Sequence, residues 1–228
     1  MSDRRRVWVT RAEPGASRTA GRLRAMGWEP VIQPLLAIHP LSPDLPDLEG
    51  FDALAFTSRN GVSAFAALTP RRDLRVFAVG EATAQAAREA GFADVQSADG
   101  AVDDLVALIA REMQPGERLL APVAREPVAD LAGLLTGRVQ VETLAVYEAA
   151  ETAAVAPDGV ADILIHSPRA AKALAALGAE AVDRHRIVAI SAQAAAPLNG
   201  LPVADLRIAT HPSETGMLEA LGKPARGV

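Results

Sequence analysis

The sequence predicts an α/β protein of two bodies, each a parallel sheet with helices on both faces in the flavodoxin or Rossmann manner, joined by a two-stranded connector. Three observations carry that expectation. Strand-like apolar runs alternate with helix-period stretches along all 228 residues. The chain also repeats itself: "LAFTSRNGVSAF" at Leu54–Phe65 returns about 109 residues later as "ILIHSPRAAKAL" at Ile163–Leu174. Downstream, "RVFAVGEATAQAAREAG" from Arg75 returns as "RIVAISAQAAAPLNGLP" from Arg186. Finally, the long Pro-rich connections are "HPLSPDLPDLEG" (His39–Gly50) and "AAETAAVAPDGV" (Ala149–Val160), whereas Pro115-Gly116-Glu117 reads as an ordinary short turn within one sheet. The expected domains are therefore 1–38 plus 151–228, which is discontinuous, and 39–150, with connector strands near 35–40 and 144–149.

The elements follow in order. Val7–Thr10 is an apolar run expected as the first strand, and Gly15–Met26 after it has helical spacing. Glu29–Ile38 reads as one strand, and its "WEPVIQPLLAI" is echoed by "RVQVETLAVYE" at Arg138–Glu148. Ala53–Thr57 ends in small hydroxyl residues before the helix Asn60–Leu68; Asn60-Gly61, without a hairpin context, belongs to that helix's first turn. Strand Val76–Val79 and helix Ala82–Ala90 repeat the pattern, followed by strand Asp94–Gln96 and helix Val102–Met113. Arg118–Ala121, helix Val128–Leu135 and Val139–Tyr147 come next. The second copy supplies strands Asp162–His166, Ile187–Ile190 and Leu206–Ala209 and helices Ala170–Leu177, Ala192–Leu198 and Thr215–Leu221. That makes ten strands, five expected in each sheet.

Composition narrows the function. The chain has no cysteine, which excludes disulfides and thiolate metal sites. "MSDRRRVWVT" has basic residues but no apolar signal segment behind them, and no run approaches the roughly 18 apolar residues of a membrane span, so a cytoplasmic address is expected. A net charge of -5 without a Lys/Arg run argues against nucleic acid as a partner. No extended apolar surface motif is evident, and a monomer is expected. No G-x-G-x-x-G follows a strand, no G-x-x-x-x-G-K-[ST] is present, and the four His lack ligand spacing. His166 stands where the other copy has Thr57 and reads as a packed or hydrogen-bonding residue; His39, His185 and His211 read as loop residues.

Ligands of open parallel sheets sit beyond the carboxyl ends of the strands, where helix N-termini present free amides. The repeated phrases fall there, so Thr57, Ser58, Gly80, Thr83, Ser167, Pro168 and Ser191 supply hydroxyls and backbone N–H groups to one mouth per domain. A purely structural reading stands beside this. Ser before a helix is an N-cap, Pro168 sits at the favoured first helical position, and Gly80 lets strand and helix pack closely. Arg11, Arg59, Arg125 and Arg169 lie just past strand ends, as solvated surface residues or as carboxylate binders. Arg11 and Arg125 end equivalent strands of the two copies, so at least one is expected to meet any anionic ligand. Tyr147, the one tyrosine, ends a connector strand and is the best single proton donor, or else a packing residue with a wet hydroxyl. No acid pair, triad or metal cluster can be assembled from the repeated turns.

"VTRAEPGASRTAGRLRAMGWEPVIQPLL", "FTSRNGVSAF", "VFAVGEATAQAAREAGF", "LAVYEA", "ILIHSPRAAKAL" and "HPSETGMLEAL" together resemble the uroporphyrinogen-III synthase family in order and spacing over essentially the whole chain. The resemblance implies two α/β domains with a two-stranded connector, the first domain discontinuous. It implies an enzyme of tetrapyrrole (haem) biosynthesis that needs no cofactor and no metal. Its substrate is hydroxymethylbilane, a linear tetrapyrrole bearing acetate and propionate groups, which is closed with ring D inverted and water lost. An azafulvene cation and a spiro intermediate lie on that route. Unaided, the same substrate cyclises without inversion, so orientation in a cleft suffices for selection. By matched position Ser58, Asn60, Gly61, Val62, Gly80, Ser167, Pro168 and Ala170 bind substrate, and Tyr147 and Thr83 are the catalytic candidates, Tyr147 assisting departure of the hydroxyl. "ISAQAAAPL", with Gln193 and Ala194, departs from the family's Thr-containing turn and receives no role. The alternative reading is a two-domain small-ligand binding protein that closes without chemistry.

Overall fold

The structure, a computed structural model, describes residues 5–224. The terminal residues 1–4 and 225–228 of the first expected domain lie outside the described residues. The chain order is β1 (Arg6–Val9), α1 (Gly15–Ala25), β2 (Glu29–Ile32), β3 (Leu36–Pro40), β4 (Ala53–Phe56), α2 (Arg59–Leu68), β5 (Arg75–Ala78), α3 (Glu81–Glu89), β6 (Val95–Ser97) and α4 (Val102–Glu112). It continues with β7 (Arg118–Ala124), α5 (Leu131–Leu134), β8 (Gln140–Glu151), β9 (Val160–Ile165), α6 (Pro168–Ala176), β10 (Arg186–Ala189), α7 (Ala192–Ala195), β11 (Asp205–Ile208) and α8 (Glu214–Leu221). Two compact units result, Met1–Ala37 with Ala150–Val228, and Ile38–Ala149.

Unit one holds a five-stranded sheet in the order β11-β10-β9-β1-β2, parallel throughout. Its strands are buried on both faces, which is why they read as continuous apolar runs. Alternation along the strand sorts the side chains. Trp8, Ile163, Ile165, Ile187 and Ala189 pack with α6 residues such as Ala171 and Leu174. Val7, Val9, Leu164 and Val188 turn the other way, against Leu23 of α1 and Met217 and Leu221 of α8.

Unit two holds six strands in the order β3-β8-β7-β4-β5-β6. Leu54, Phe56, Val76 and Leu120 meet Val62 and Phe65 of α2 and Ala87 of α3; Ala53, Ala55, Phe77, Leu119 and Ala121 meet Leu105 and Ile109 of α4. Leaving β3 aside, the two sheets have the same spatial order once repeated strands are matched, β4 with β9 and β5 with β10. Each copy of the repeat contributes strands to both sheets.

The α/β class with mostly parallel sheets is as the sequence predicts. Several elements differ. Eleven strands form among the described residues, five and six to a sheet, because Glu29–Ile38 is two strands and not one. The break is a slip of register beside Pro34: Gln33 N donates to Val9 O (3.2 Å), but Leu35 N, two residues on, reaches only Thr10 O (2.8 Å), one residue short of the regular parallel ladder. His39 consequently lies in β3, not in a loop. The Leu41 N to Val146 O (2.9 Å) and Thr152 N to Leu35 O (3.0 Å) bonds set β3 antiparallel to β8. The expected helix Val128–Leu135 shrinks to the single turn of α5, capped by Asp130 on Gly133 N (3.0 Å), with Val128 exposed. Ala192–Leu198 divides into α7 and a 3₁₀ turn at Ala196–Leu198, where Pro197 interrupts α-helical bonding.

Candidate functional site

In each sheet the crossover direction reverses at one place, and ligands of open α/β sheets bind outside the strand ends at such a switch point. In unit one β1 leads to β2 on one side and β9 to β10 on the other, so the switch lies between β1 and β9. In unit two it lies between β4 and β7. Arg11 and Ser167 follow the strands of the first switch; Ser58 and Arg125 follow those of the second.

The unit-one switch point is filled by the protein's own charges. Arg11 Nη1 donates to Glu214 Oε2 (2.8 Å) and to Thr19 Oγ1 (3.4 Å), Thr19 Oγ1 donates to Glu214 Oε1 (2.6 Å), and His166 Nε2 shares a hydrogen bond with Glu214 Oε2 (3.1 Å). Burial alone would raise the Glu214 carboxyl. The hydrogen bond and charge of His166, then the Thr19 hydroxyl and the Arg11 charge, outweigh it and hold the group at about 2. Sequence reasoning missed Glu214 and Thr19; the one local signal was an acidic residue directly after the Ser213 cap. Since the folded value lies below the ordinary 4.5, this carboxylate stabilises the fold above pH 4.5, and that contribution disappears as pH falls towards 2. Glu214→Gln is expected to remove about 2 kcal/mol of the stability lost over that window after allowing for solvent screening. Urea unfolding at pH 6 and pH 3 would measure it, and equal acid sensitivity of the two proteins would count against the assignment.

The serines of the repeated turns are N-caps. Ser58 accepts from Gly61 N (3.1 Å), Ser167 from Ala170 N (3.2 Å) and Ser191 from Ala194 N (3.1 Å), each with extended backbone before a helix. Pro168 takes the first helical position of α6. Ala170 and Val62 are buried, and their N–H groups point into the first turns of α6 and α2. Asn60 lies half-buried in the first turn of α2. Thr83 sits in the first turn of α3 at 6% exposure, its N–H on Gly80 O (3.0 Å).

The two glycines of these turns differ in kind. A Cβ on Gly61 would stand 2.9 Å from the Pro122 carbonyl oxygen of β7, so this glycine lets α2 lie against the sheet. A Cβ on Gly80 would meet nothing closer than Gly100 O at 3.9 Å, and its φ of -160° suits any residue, so close packing does not require glycine there. Gly61→Ala is expected to cost about 1–3 kcal/mol because backbone must yield, whereas Gly80→Ala loses only a favourable N-cap residue of α3, about 0.5–1 kcal/mol. Thermal melts of the pair check this; equal melts would discount the Pro122 contact.

Unit two carries the other chemistry. Tyr147 is near the C-terminal end of β8, where a bulge interrupts the parallel register: Val123 pairs with Ala145 but Ala124 with Tyr147. In a regular strand Val146 and Tyr147 would face opposite sides. Here both join the same cluster, with Phe56 and Phe65. The Tyr147 hydroxyl thereby lies 2.9 Å from Ser58 Oγ, and its carbonyl accepts from Arg125 N at 2.8 Å. Arg125 is 61% exposed by side chain and pairs with Glu148 at 2.8 Å, in contrast to Arg11 at 19%. Ser58, Gly61, Tyr147 and Arg125 are thus brought together; Gly80 and Thr83 open the next helix of the same sheet. Arg11, Ser167, Pro168 and Ala170 belong to unit one.

A protein-family model described as uroporphyrinogen-III synthase HemD matches residues 17–219. No curated protein sequence matches the chain. Among solved structures, the chain is similar to a uroporphyrinogen-III synthetase from Helicobacter pylori, at 21% identity over 95% of this chain and 97% of that one, with a TM-score of 0.68. It is also similar to a mutant uroporphyrinogen III synthase from the extremely thermophilic bacterium Thermus thermophilus, at 18% identity over 96% and 97% of the two chains, with a TM-score of 0.56. Those two likenesses concern the fold. Among the described residues no helix is long and apolar enough to cross a membrane.

Proposed function

Because the chain belongs to the uroporphyrinogen-III synthase family, an enzyme family of haem biosynthesis, we propose that it acts as a cyclising lyase on hydroxymethylbilane, with Tyr147 as proton donor. The phenol proton passes to the substrate hydroxyl as its C–O bond breaks, and water leaves. The neighbouring pyrrole nitrogen supplies the electron pair, giving an azafulvene cation. Ring D attacks through its substituted carbon, and the spiro intermediate fragments and recloses with the ring inverted. The proton released on final closure restores the phenol, so no cofactor is consumed. The observation that carries the donor role is the Tyr147 hydroxyl, held by a bulged strand beside Ser58 at a sheet switch point.

The remaining residues orient. Acetate and propionate carboxylates suit helix N-termini, here the first turns that hold Ser58, Asn60, Gly61 and Val62, then Gly80 and Thr83, and Ser167, Pro168 and Ala170. Ser58, Ser167 and their capped amides already satisfy one another, so the spare donors are the other first-turn N–H groups. Arg125, the more exposed of the two strand-end arginines, is the better carboxylate partner; Arg11 is committed to Glu214. We further propose a cytoplasmic monomer, in keeping with the absence of cysteine. Supplying hydroxymethylbilane and resolving the two cyclic isomers tests the activity. Inverted product in excess of the spontaneous isomer is expected, and only the uninverted isomer at the uncatalysed rate would overturn the proposal in favour of a binding protein.

A further inference from the structure

We infer that Ser58 is the positioning residue that makes Tyr147 a proton donor, by giving its own hydroxyl proton to the phenol oxygen; this rests on the donor role proposed for Tyr147. A serine hydroxyl has one proton and two lone pairs. One lone pair of Ser58 accepts the Gly61 N–H at 3.1 Å, which makes Ser58 the N-cap of α2. The Tyr147 oxygen stands 2.9 Å away in a hydrogen bond that either hydroxyl can donate. The two directions have opposite chemical consequences. If the phenol donates to Ser58, its proton is already spent within the protein. If Ser58 donates, the phenol proton is directed elsewhere and can pass to a departing hydroxyl.

The surroundings favour the second direction. Ser58 Oγ takes a hydrogen bond from the first turn of a ten-residue helix, at the positive end of its dipole. Accepting that N–H draws electron density from the oxygen, so the hydroxyl becomes a better donor and a poorer acceptor; hydrogen bonds in a chain reinforce one another in this sense. The resulting relay runs from Gly61 N–H through Ser58 O–H to Tyr147 O–H. Its two ends are fixed separately. The extended backbone of Ser58 (φ -156°, ψ 153°) is locked by the cap, and the bulge with the Arg125 N to Tyr147 O bond locks the tyrosine. The same accounting argues against Ser58 as a direct ligand of an acidic substrate. A carboxylate needs a donor, and the single Ser58 proton is committed.

Three replacements separate capping from donation. Asp caps a helix as well as Ser but, ionised, only accepts; Thr caps and donates; Ala does neither. Each is made alone and with Tyr147→Phe, and kcat and KM for hydroxymethylbilane, the thermal midpoint and the Tyr147 13Cζ resonance are recorded. Because Tyr147 is the only tyrosine of the chain, that resonance is a single line. Ser58→Asp is expected to keep the thermal midpoint, to raise KM because its carboxylate repels those of the substrate, to lose at least about tenfold in kcat, and to shift the Cζ line as the phenol becomes donor to the carboxylate. Ser58→Thr is expected to restore both, and Ser58→Ala to lower kcat and the midpoint together. In the Tyr147→Phe background Ser58→Asp should cost no further kcat. Wild-type kcat with an unmoved Cζ line in Ser58→Asp overturns the inference while leaving the donor reading intact, as does a further kcat loss in the Phe background. Wild-type kcat in Tyr147→Phe removes the donor reading, and this inference with it.

Discussion

Tyr147→Phe is expected to turn over hydroxymethylbilane about tenfold to a thousandfold more slowly than the wild type and still to release the inverted isomer. General-acid help is typically worth roughly 10²–10⁴, and a hydroxyl leaving an electron-rich pyrrole needs less of it than most. Stability should change little. The ring stays in its cluster with Val146, Phe56 and Phe65, and the Ser58 cap on Gly61 remains after the phenol hydroxyl is gone. The lost hydroxyl contact is worth about 0.5–1.5 kcal/mol. Which carbon attacks is settled by orientation of the bound chain, not by the proton that starts the reaction, so rate and isomer identity should separate. Initial rates with chromatographic resolution of the two isomers measure both. An unchanged rate would remove Tyr147 as donor; a slow variant that releases the uninverted isomer would mean that donor and orienting surface are one device.

The largest effect on stability should come from the opposite end of unit one. Asp162, near the start of β9, is 0% exposed and accepts from Arg186 Nε at 2.6 Å, with Arg5 Nε at 3.5 Å. It pairs in register with Val7 on one side and Arg186 on the other, in the middle of the sheet. Asp162→Ala leaves the Arg186 guanidinium buried without its partner, and breaking one side of such a pair costs about 3–5 kcal/mol. That is a large part of a stability of about 5–15 kcal/mol. Replacing Asp162 and Arg186 together by apolar residues of similar volume should recover most of it, because no lone charge remains. Urea denaturation of the single and double variants decides the matter; a single-variant loss under about 1 kcal/mol would make the pair energetically incidental. Neither change touches the Ser58–Tyr147 pair, so activity per folded molecule should hold.

Local chemistry reads directly from the residue order. Strands buried on both faces leave long apolar runs, as at Ala53–Phe56 and Ile163–Ile165, and the serines that end them cap the following helices through bonds spanning three residues. Where an element depended on a neighbour, the reading failed. Val128–Leu135 has helical spacing, but Pro127 precedes it and Asp130 caps a single turn. Glu29–Ile38 reads as one strand, but its register against β1 slips between Gln33 and Leu35, and the segment is divided between the two sheets.

The sequence by itself determined the α/β class, the duplication, the caps and Tyr147 as the one phenol of the chain. Tertiary structure alone decided what that phenol touches. The bulge in β8 depends on its register with β7, and the approach of Ser58 to Tyr147 joins residues 89 positions apart. The same holds for Glu214, an ordinary first-turn acid in the sequence, which meets Arg11 from 203 positions away. The physical reason is range: periodicity and capping act over a few residues of one segment, whereas strand order and register are set when separate segments bury their apolar faces together.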